Sequence, residues 1–319
     1  MLSAWVWVML LVPTCLIGQD SVIDSGFTET EVFIDTSLQS IYGTLTMPEA
    51  TGKIPVVLII SGSGPTDRNG NNPFGLSTDS YQLLARSLAL NKIASLRFDK
   101  RGVAKSISAL ADEKMLTVGT YVNDGESWIK WLRKDKRFSK IIVLGHSEGA
   151  LIGTLVTNFQ RADGFISISG SGIRADSLII QQLSKQSPAL ADTAKVIIDH
   201  IKKGEAFYVN KDLAPIFRPD VANYLRSWFK LSPVVEISLL RCPVIVIQGT
   251  YDLQVSVGEA KLLAEARPGA MLVIIDKMNH VMKNAPDDIQ GNISTYKNRE
   301  LPLSDQLTPA ITEFIKSVH

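Results

Sequence analysis

The sequence predicts an α/β protein: a mostly parallel sheet covered by helices on both faces, with one helical insertion. Three observations carry this. Runs such as "PVVLIIS" (55–61), "KIIVLG" (140–145) and "PVIVIQG" (243–249) are almost wholly apolar, as strands buried on both faces are. Segments of helical period alternate with them. From 171 to 239 the strand rhythm stops, over a stretch too long for an ordinary connection.

Taken in order, "EVFIDT" and "SIYGTLTMP" read as an N-terminal β pair, with Gly43 as a bulge. The strand at 55–61 follows. "TDSYQLLARSLALN" is an amphipathic helix with Thr78 or Asp79 near its N-cap. "IASLRFD" (93–99) is the next strand, and "TVGTYVNDGESWIKWLRK" turns helical in its latter part, placing Trp128, Trp131 and Leu132 on one face. The strand at 140–145 leads into a helix at "ALIGTLVTNF". "GFISISG" (164–170), "PVIVIQG" and "MLVIID" (271–276) are the remaining strands, and "LTPAITEFIKSV" closes the chain as a helix. Between 171 and 239 the readable pieces are helical: "SLIIQQLSK", "ALADTAKVIIDHIKKG" and "PDVANYLRSWFK". That interval reads as a helical cap laid over the sheet.

The bulk properties narrow the function. A length of 319 residues admits one large α/β domain or two smaller ones. A net charge of +1, without a run of like charges, offers no surface for nucleic acid. "AWVWVMLLVPTCLI" (4–17) is uncharged and apolar. It is short for a membrane span and suited to the core of a secretory signal ending near Gly18. No Lys or Arg precedes it and no A-x-A pattern follows it, so a short membrane anchor or a packed segment stays open, and Cys15 makes a weaker lipoprotein site. The expectation is a signal over 1–18, a secreted or periplasmic protein, and no stable membrane span once the signal is removed. Cys242 is then the one cysteine left. Lying before a strand, with no second Cys and no His at metal spacing, it reads as an inert thiol.

The chemistry gathers around "IIVLGHSEGALIG". Gly145-His146-Ser147-Glu148-Gly149 is a G-x-S-x-G. Five letters alone are a weak signal. The strand entering them and the helix leaving them make the strand–turn–helix that a nucleophilic serine requires. A hydroxyl needs a base, and the chain has four histidines. His146 neighbours the serine and should point away from it, His200 lies in the cap, and His319 ends the chain. His280 follows the last strand at the C-terminal edge of the sheet, where ligands of open α/β sheets bind. Among carboxylates to orient it, Asp252 lies just past "PVIVIQG" at the same edge. Asp163, Asp276, Asp287 and Asp288 are less well placed.

The order Ser147, Asp252, His280 resembles the α/β-hydrolase superfamily, over nearly the whole of 19–319. More narrowly, the chain resembles bacterial serine esterases and serine-aminopeptidase-like hydrolases, which carry loops like "GSGPTDRNG" (62–70) and "DKRGVAKS" (99–106). In the second loop Ala104 stands where the family has glycine, leaving the local turn open. The glycine-rich first loop is neither a Walker loop nor a dinucleotide fingerprint: Gly-Lys-Ser/Thr is absent, Pro65 interrupts, and Asp67 occupies the third glycine position. The resemblance instead implies an oxyanion hole formed by the backbone N–H groups of Ser63 and Glu148. Ser61, where His-Gly-X loops have histidine, implies another means of holding that loop. Asp67 and Arg68 either brace it or touch substrate, bracing being the plainer role.

The resulting expectation is a serine carboxylesterase acting on a small-molecule ester through an acyl-enzyme, with Ser147, His280 and Asp252 catalytic and no metal or cofactor required. An amide-cleaving aminopeptidase is the rival, and would need an acidic group such as Glu205 or Asp212 for the substrate ammonium. A non-catalytic binding protein on the same scaffold is a third reading. The sequence leaves acyl chain, leaving group and oligomeric state open.

Overall fold

A computed structural model describes residues 26–36, 39–110 and 112–319. The signal reading of 1–18, with Cys15 and Gly18, lies outside them. Among the described residues no helix is long and apolar enough to cross a membrane.

Strands β1 (Phe27–Asp35), β2 (Ser40–Pro48), β3 (Ile54–Ile60), β4 (Ala94–Phe98), β5 (Phe138–His146), β6 (Gly164–Ile168), β7 (Val244–Gly249) and β8 (Met271–Ile275) form one sheet, ordered β1-β2-β4-β3-β5-β6-β7-β8. The first two ladders, β1–β2 and β2–β4, are antiparallel and the rest are parallel. Gly43 is not a bulge: it stays in register opposite Val32 and Phe98. Its missing Cβ makes room, since one built there would lie 3.0 Å from the Arg97 carbonyl and 3.3 Å from the Trp128 ring.

The unbroken apolar strands have the cause expected of them. Alternate β3 residues enter opposite cores. Val56, Leu58 and Ile60 pack with Trp128, Leu132 and Val156, while Val57 and Ile59 pack with Leu84, Leu88 and Phe314. Those partners sit on α1 (Ser80–Leu90), α2 (Val118–Arg133), α3 (Glu148–Gln160) and α11 (Leu307–Ser317). Helix α2 begins earlier than its poor helix formers led us to expect. Thr117 and Thr120 form a reciprocal capping box, and the weak positions are used in packing. A Cβ on Gly125 would meet Val156 of α3 at 2.6 Å, and Asp124 holds the Arg101 guanidinium at 2.6 Å.

Between β6 and β7 the chain is helical only: α4 (Ala175–Gln186), α5 (Pro188–Lys203), α6 (Ala214–Phe217), α7 (Ala222–Phe229) and α8 (Pro233–Ser238). Ile179, Ile198, Phe217, Leu225 and Phe229 belong to a separate hydrophobic cluster there. Outside the interval 171–239, two α-helices went unread in the sequence. One is α9 (Val257–Ala266), whose Ser256/Glu259 capping box was a legible S-x-x-E; the other is α10 (Ile289–Ser294), capped by Asp288.

Candidate active site

The C-terminal ends of β3, β5 and β7, with the loop after β8, deliver the site. Strand β5 ends at His146, α3 starts at Glu148, and Ser147 alone makes the turn with φ 56° and ψ −122°. Such a conformation is costly for a residue with a Cβ. The flanking glycines show what enforces it. A Cβ on Gly145 would lie 2.1 Å from the Gly149 carbonyl, and one on Gly149 would lie 2.3 Å from the Ile60 carbonyl. Only bare backbone fits, so strand and helix close tightly and lift Ser147 out at the sheet edge. The Ser147 amide is anchored on the Ile168 carbonyl at 2.9 Å.

His280 lies across from it. Its Nδ1 faces Asp252, 2.9 Å from Oδ2 and 3.1 Å from Oδ1, and Ser147 and His280 line the same small cavity. The Asp252 side chain is fully buried. Burial by itself would raise its pKa. His280 and the amides of Gln254 and Val255 outweigh that and hold it down at about 2. Gln248 Nε2 adds a further bond at 3.0 Å. A carboxylate facing Nδ1 keeps the imidazole proton there and leaves Nε2 free to accept. The other carboxylates are spent elsewhere: Asp163 accepts from the Ile141 amide, Asp276 from Thr250, Asp287 from Tyr251, and Asp288 caps α10. His200 pairs with Glu205, and His319 is exposed at the chain end.

Ser63 and Glu148 border the same large cavity as Ser147. Among the described residues neither amide donates to a protein acceptor. What holds the loop in place of the family's histidine is now visible. The Gly62 carbonyl accepts from Lys100 Nζ at 2.6 Å, and the Gly62 amide donates to Tyr81 Oη at 3.0 Å. Among the described residues Ser61 Oγ has no hydrogen-bond partner and is buried. Arg68 and Asp67 brace the loop: Arg68 pairs with buried Asp99 at 2.8 Å, and Asp67 Oδ1 accepts from the amides of Asn69 and Asn71. Ala104 keeps the glycine turn at φ 44°.

Two arrangements were not legible in the sequence. His146 does point away from Ser147, into a relay. Its Nε2 lies 2.7 Å from the His280 carbonyl and its Nδ1 2.8 Å from Tyr81 Oη. A carbonyl can only accept, so Nε2 carries the proton and Nδ1 accepts from the phenol. Burial, and then the neighbouring His280, push the His146 pKa down to about 3. The second concerns the Glu148 carboxylate, which is buried. It accepts from Tyr224 Oη of α7 at 2.5 Å and pairs with buried Lys100 at 3.4 Å. Tyr81 lies among ordinary helix residues and Lys100 in a loop, so neither carried a signal. Among the described residues no group of three or more His, Cys, Asp or Glu is arranged to hold a metal. Cys242 is half-buried, and burial raises its thiol pKa to about 11.

The chain resembles known proteins in sequence and in fold. Residues 74–218 match the family model described as serine aminopeptidase, S33, a span that contains the Ser147 turn. Esterase EstD of Thermotoga maritima is 26% identical over 256 residues, covering 78% of this chain. The chain spans 59% of the length of that curated relative. Est1E of Butyrivibrio proteoclasticus, solved with ferulic acid bound, aligns with a TM-score of 0.60 at 18% identity, over 90% of this chain and 98% of its own. An esterase of Pyrococcus furiosus aligns at 0.58 and 17% identity, over 92% of each chain. At these identities the structural likeness is one of fold.

Proposed function

We propose that the chain is a serine hydrolase of the α/β-hydrolase superfamily, cleaving carboxylic esters through an acyl-enzyme. One observation carries the reading: Ser147, in its strained turn, shares a cavity wall with His280, whose Nδ1 is held by the buried Asp252 at 2.9 Å. Ser147 Oγ attacks the ester carbonyl while His280 Nε2 takes its proton, and Asp252 stabilises the imidazolium. The amides of Ser63 and Glu148 meet the developing oxyanion, each such donor being worth roughly 2.7–4 kcal/mol. His280 returns the proton to the leaving alcohol. Water, deprotonated by the same imidazole, then releases the acid and restores Ser147.

The aminopeptidase alternative needs a carboxylate free to hold an ammonium. The two carboxylates on the cavity walls are already engaged, Glu148 with Lys100 and Glu113 with Arg218. Glu205 and Asp212 border neither cavity. This favours ester over aminoacyl substrates. The helices between β6 and β7 supply part of the larger wall, through Ile179, Ile216, Leu225 and Trp228, which is the basis for reading them as a substrate-selecting cap.

Labelling with a fluorophosphonate tests the nucleophile. Wild-type protein should label stoichiometrically and hydrolyse esters faster than aminoacyl anilides, while Ser147→Ala does neither. Labelling of that variant at another serine refutes the assignment.

A further inference from the structure

Ser147 stands where two unequal cavities meet. The smaller encloses about 350 Å³ and has His280, Val281, Tyr81 and Tyr296 in its wall. The larger encloses about 1130 Å³, reaches Leu151, Ile179, Leu225 and Trp228, and does not include His280. Ligand pockets commonly run from roughly 300 to 1,000 Å³, so one lies near the bottom of that range and the other beyond its top.

The chemistry assigns a half of the substrate to each. The alcohol leaves only if its oxygen receives the proton that His280 took from Ser147. The leaving oxygen must therefore face His280, and the alcohol occupies the cavity His280 lines. The acyl group is left with the larger one. Charge narrows the acyl group further. Every charged side chain on the larger wall already has a partner: Lys100 with Glu148 at 3.4 Å, Arg101 with Asp124 at 2.6 Å, and Glu113 with Arg218. None is free to neutralise a charge on the acyl chain, and burying an unpaired one is costly.

We propose that this enzyme is selective for esters joining a bulky, apolar, uncharged acid to a small alcohol. The proposal rests on the ester-hydrolase reading and adds the direction in which the substrate lies.

Two isomers separate the possibilities. Methyl decanoate and nonyl acetate have the same atoms and nearly the same hydrophobicity, with the bulk on opposite sides of the ester. Acid release from each, followed by pH-stat with the full-length wild-type protein, should give a kcat/KM at least tenfold higher for methyl decanoate. An equal or greater value for nonyl acetate overturns the proposal and leaves the ester-hydrolase reading standing. Hydrolysis of neither ester, with an aminoacyl anilide cleaved by fluorophosphonate-sensitive protein, overturns both. Leu225→Trp, which intrudes on the larger cavity alone, should lower the methyl decanoate to methyl acetate ratio at least fivefold. An unchanged ratio in folded variant means the acyl chain lies elsewhere and refutes the assignment.

Discussion

The imidazole of His146 donates from Nε2 to the carbonyl oxygen of His280 at 2.7 Å, so the residue before the proposed nucleophile holds the main chain of the proposed base. The other end of the ring accepts from Tyr81, whose oxygen in turn accepts from the Gly62 amide of the proposed oxyanion loop. Three bonds thus tie together the two parts of the site that must move least.

Tyr81→Phe removes two of those bonds and keeps the ring in place. A net hydrogen bond is worth about 0.5–1.5 kcal/mol, and roughly 1.4 kcal/mol is a factor of ten in rate. We expect kcat to fall about tenfold or more with KM little changed, because no group that lies against the acyl chain is removed. Steady-state kinetics check this, with circular dichroism to establish folding. An unaltered kcat shows that the relay has no positioning role.

The same ring makes stability depend on pH. Folded His146 stays neutral down to about pH 3, whereas its ordinary value is 6.5. Below pH 6.5 the unfolded chain therefore binds a proton that the folded chain refuses. Stability falls as pH drops through this window, by at most about 1.4 kcal/mol per unit from this one group. His146→Gln offers the same acceptor and donor without a titrating ring. Urea unfolding at a series of pH values should show a shallower slope for the variant between pH 6.5 and 3. Parallel curves contradict the assignment.

Asp252 acts in the same direction, over a lower pH window. Held at about 2 against an ordinary 3.8, it contributes stability that is fully present above pH 3.8 and lost as pH falls through about 2. Asp252→Asn should therefore lower stability at neutral pH and flatten the acid unfolding curve over that lower window. Activity should fall with it by several orders of magnitude, because the imidazole loses its orienting carboxylate. Near-normal turnover in folded Asp252→Asn removes Asp252 from the mechanism.

Glu148 carries two separable roles. Its amide is the proposed oxyanion donor, and its carboxylate is bonded to Lys100 and Tyr224. Glu148→Ala strands a buried ammonium, and removing one partner of such a pair costs about 3–5 kcal/mol. Lys100 also holds the Gly62 carbonyl, so activity should drop with stability. Lys100→Met combined with Glu148→Gln removes both charges and should regain much of the stability, measured by thermal and denaturant unfolding. If Glu148→Ala is as stable as wild type, the pair has no structural value.

Ala104 occupies a left-handed turn at φ 44°, where an L-residue is strained by roughly 1–2 kcal/mol. Glycine relieves the strain and adds freedom to the unfolded chain. Ala104→Gly should stabilise the protein by up to about 1 kcal/mol, read as a higher midpoint in urea. A destabilised variant shows that the alanine methyl is a needed contact.

What the sequence by itself determined was local. Period-two burial and unbroken apolar runs marked the strands, because side chains of a parallel strand enter both cores, as Val57 and Leu58 do. The Ser147 turn was legible because its glycines must lie within two residues of it. The order of Ser147, Asp252 and His280 followed from which loops end at one sheet edge. Tertiary structure decided the rest, through contacts between distant parts of the chain that no local pattern encodes. The 2.9 Å approach of Asp252 Oδ2 to His280 Nδ1 rests on the parallel pairing of β7 and β8. Tyr81 and Lys100 reach Gly62 from 19 and 38 residues away. Gly43 is small because Trp128 crosses it, and α2 starts at Val118 because Thr117 caps it and α3 packs on Gly125. The unequal cavities likewise exist only once helices α4 and α7 lie beside Ser147.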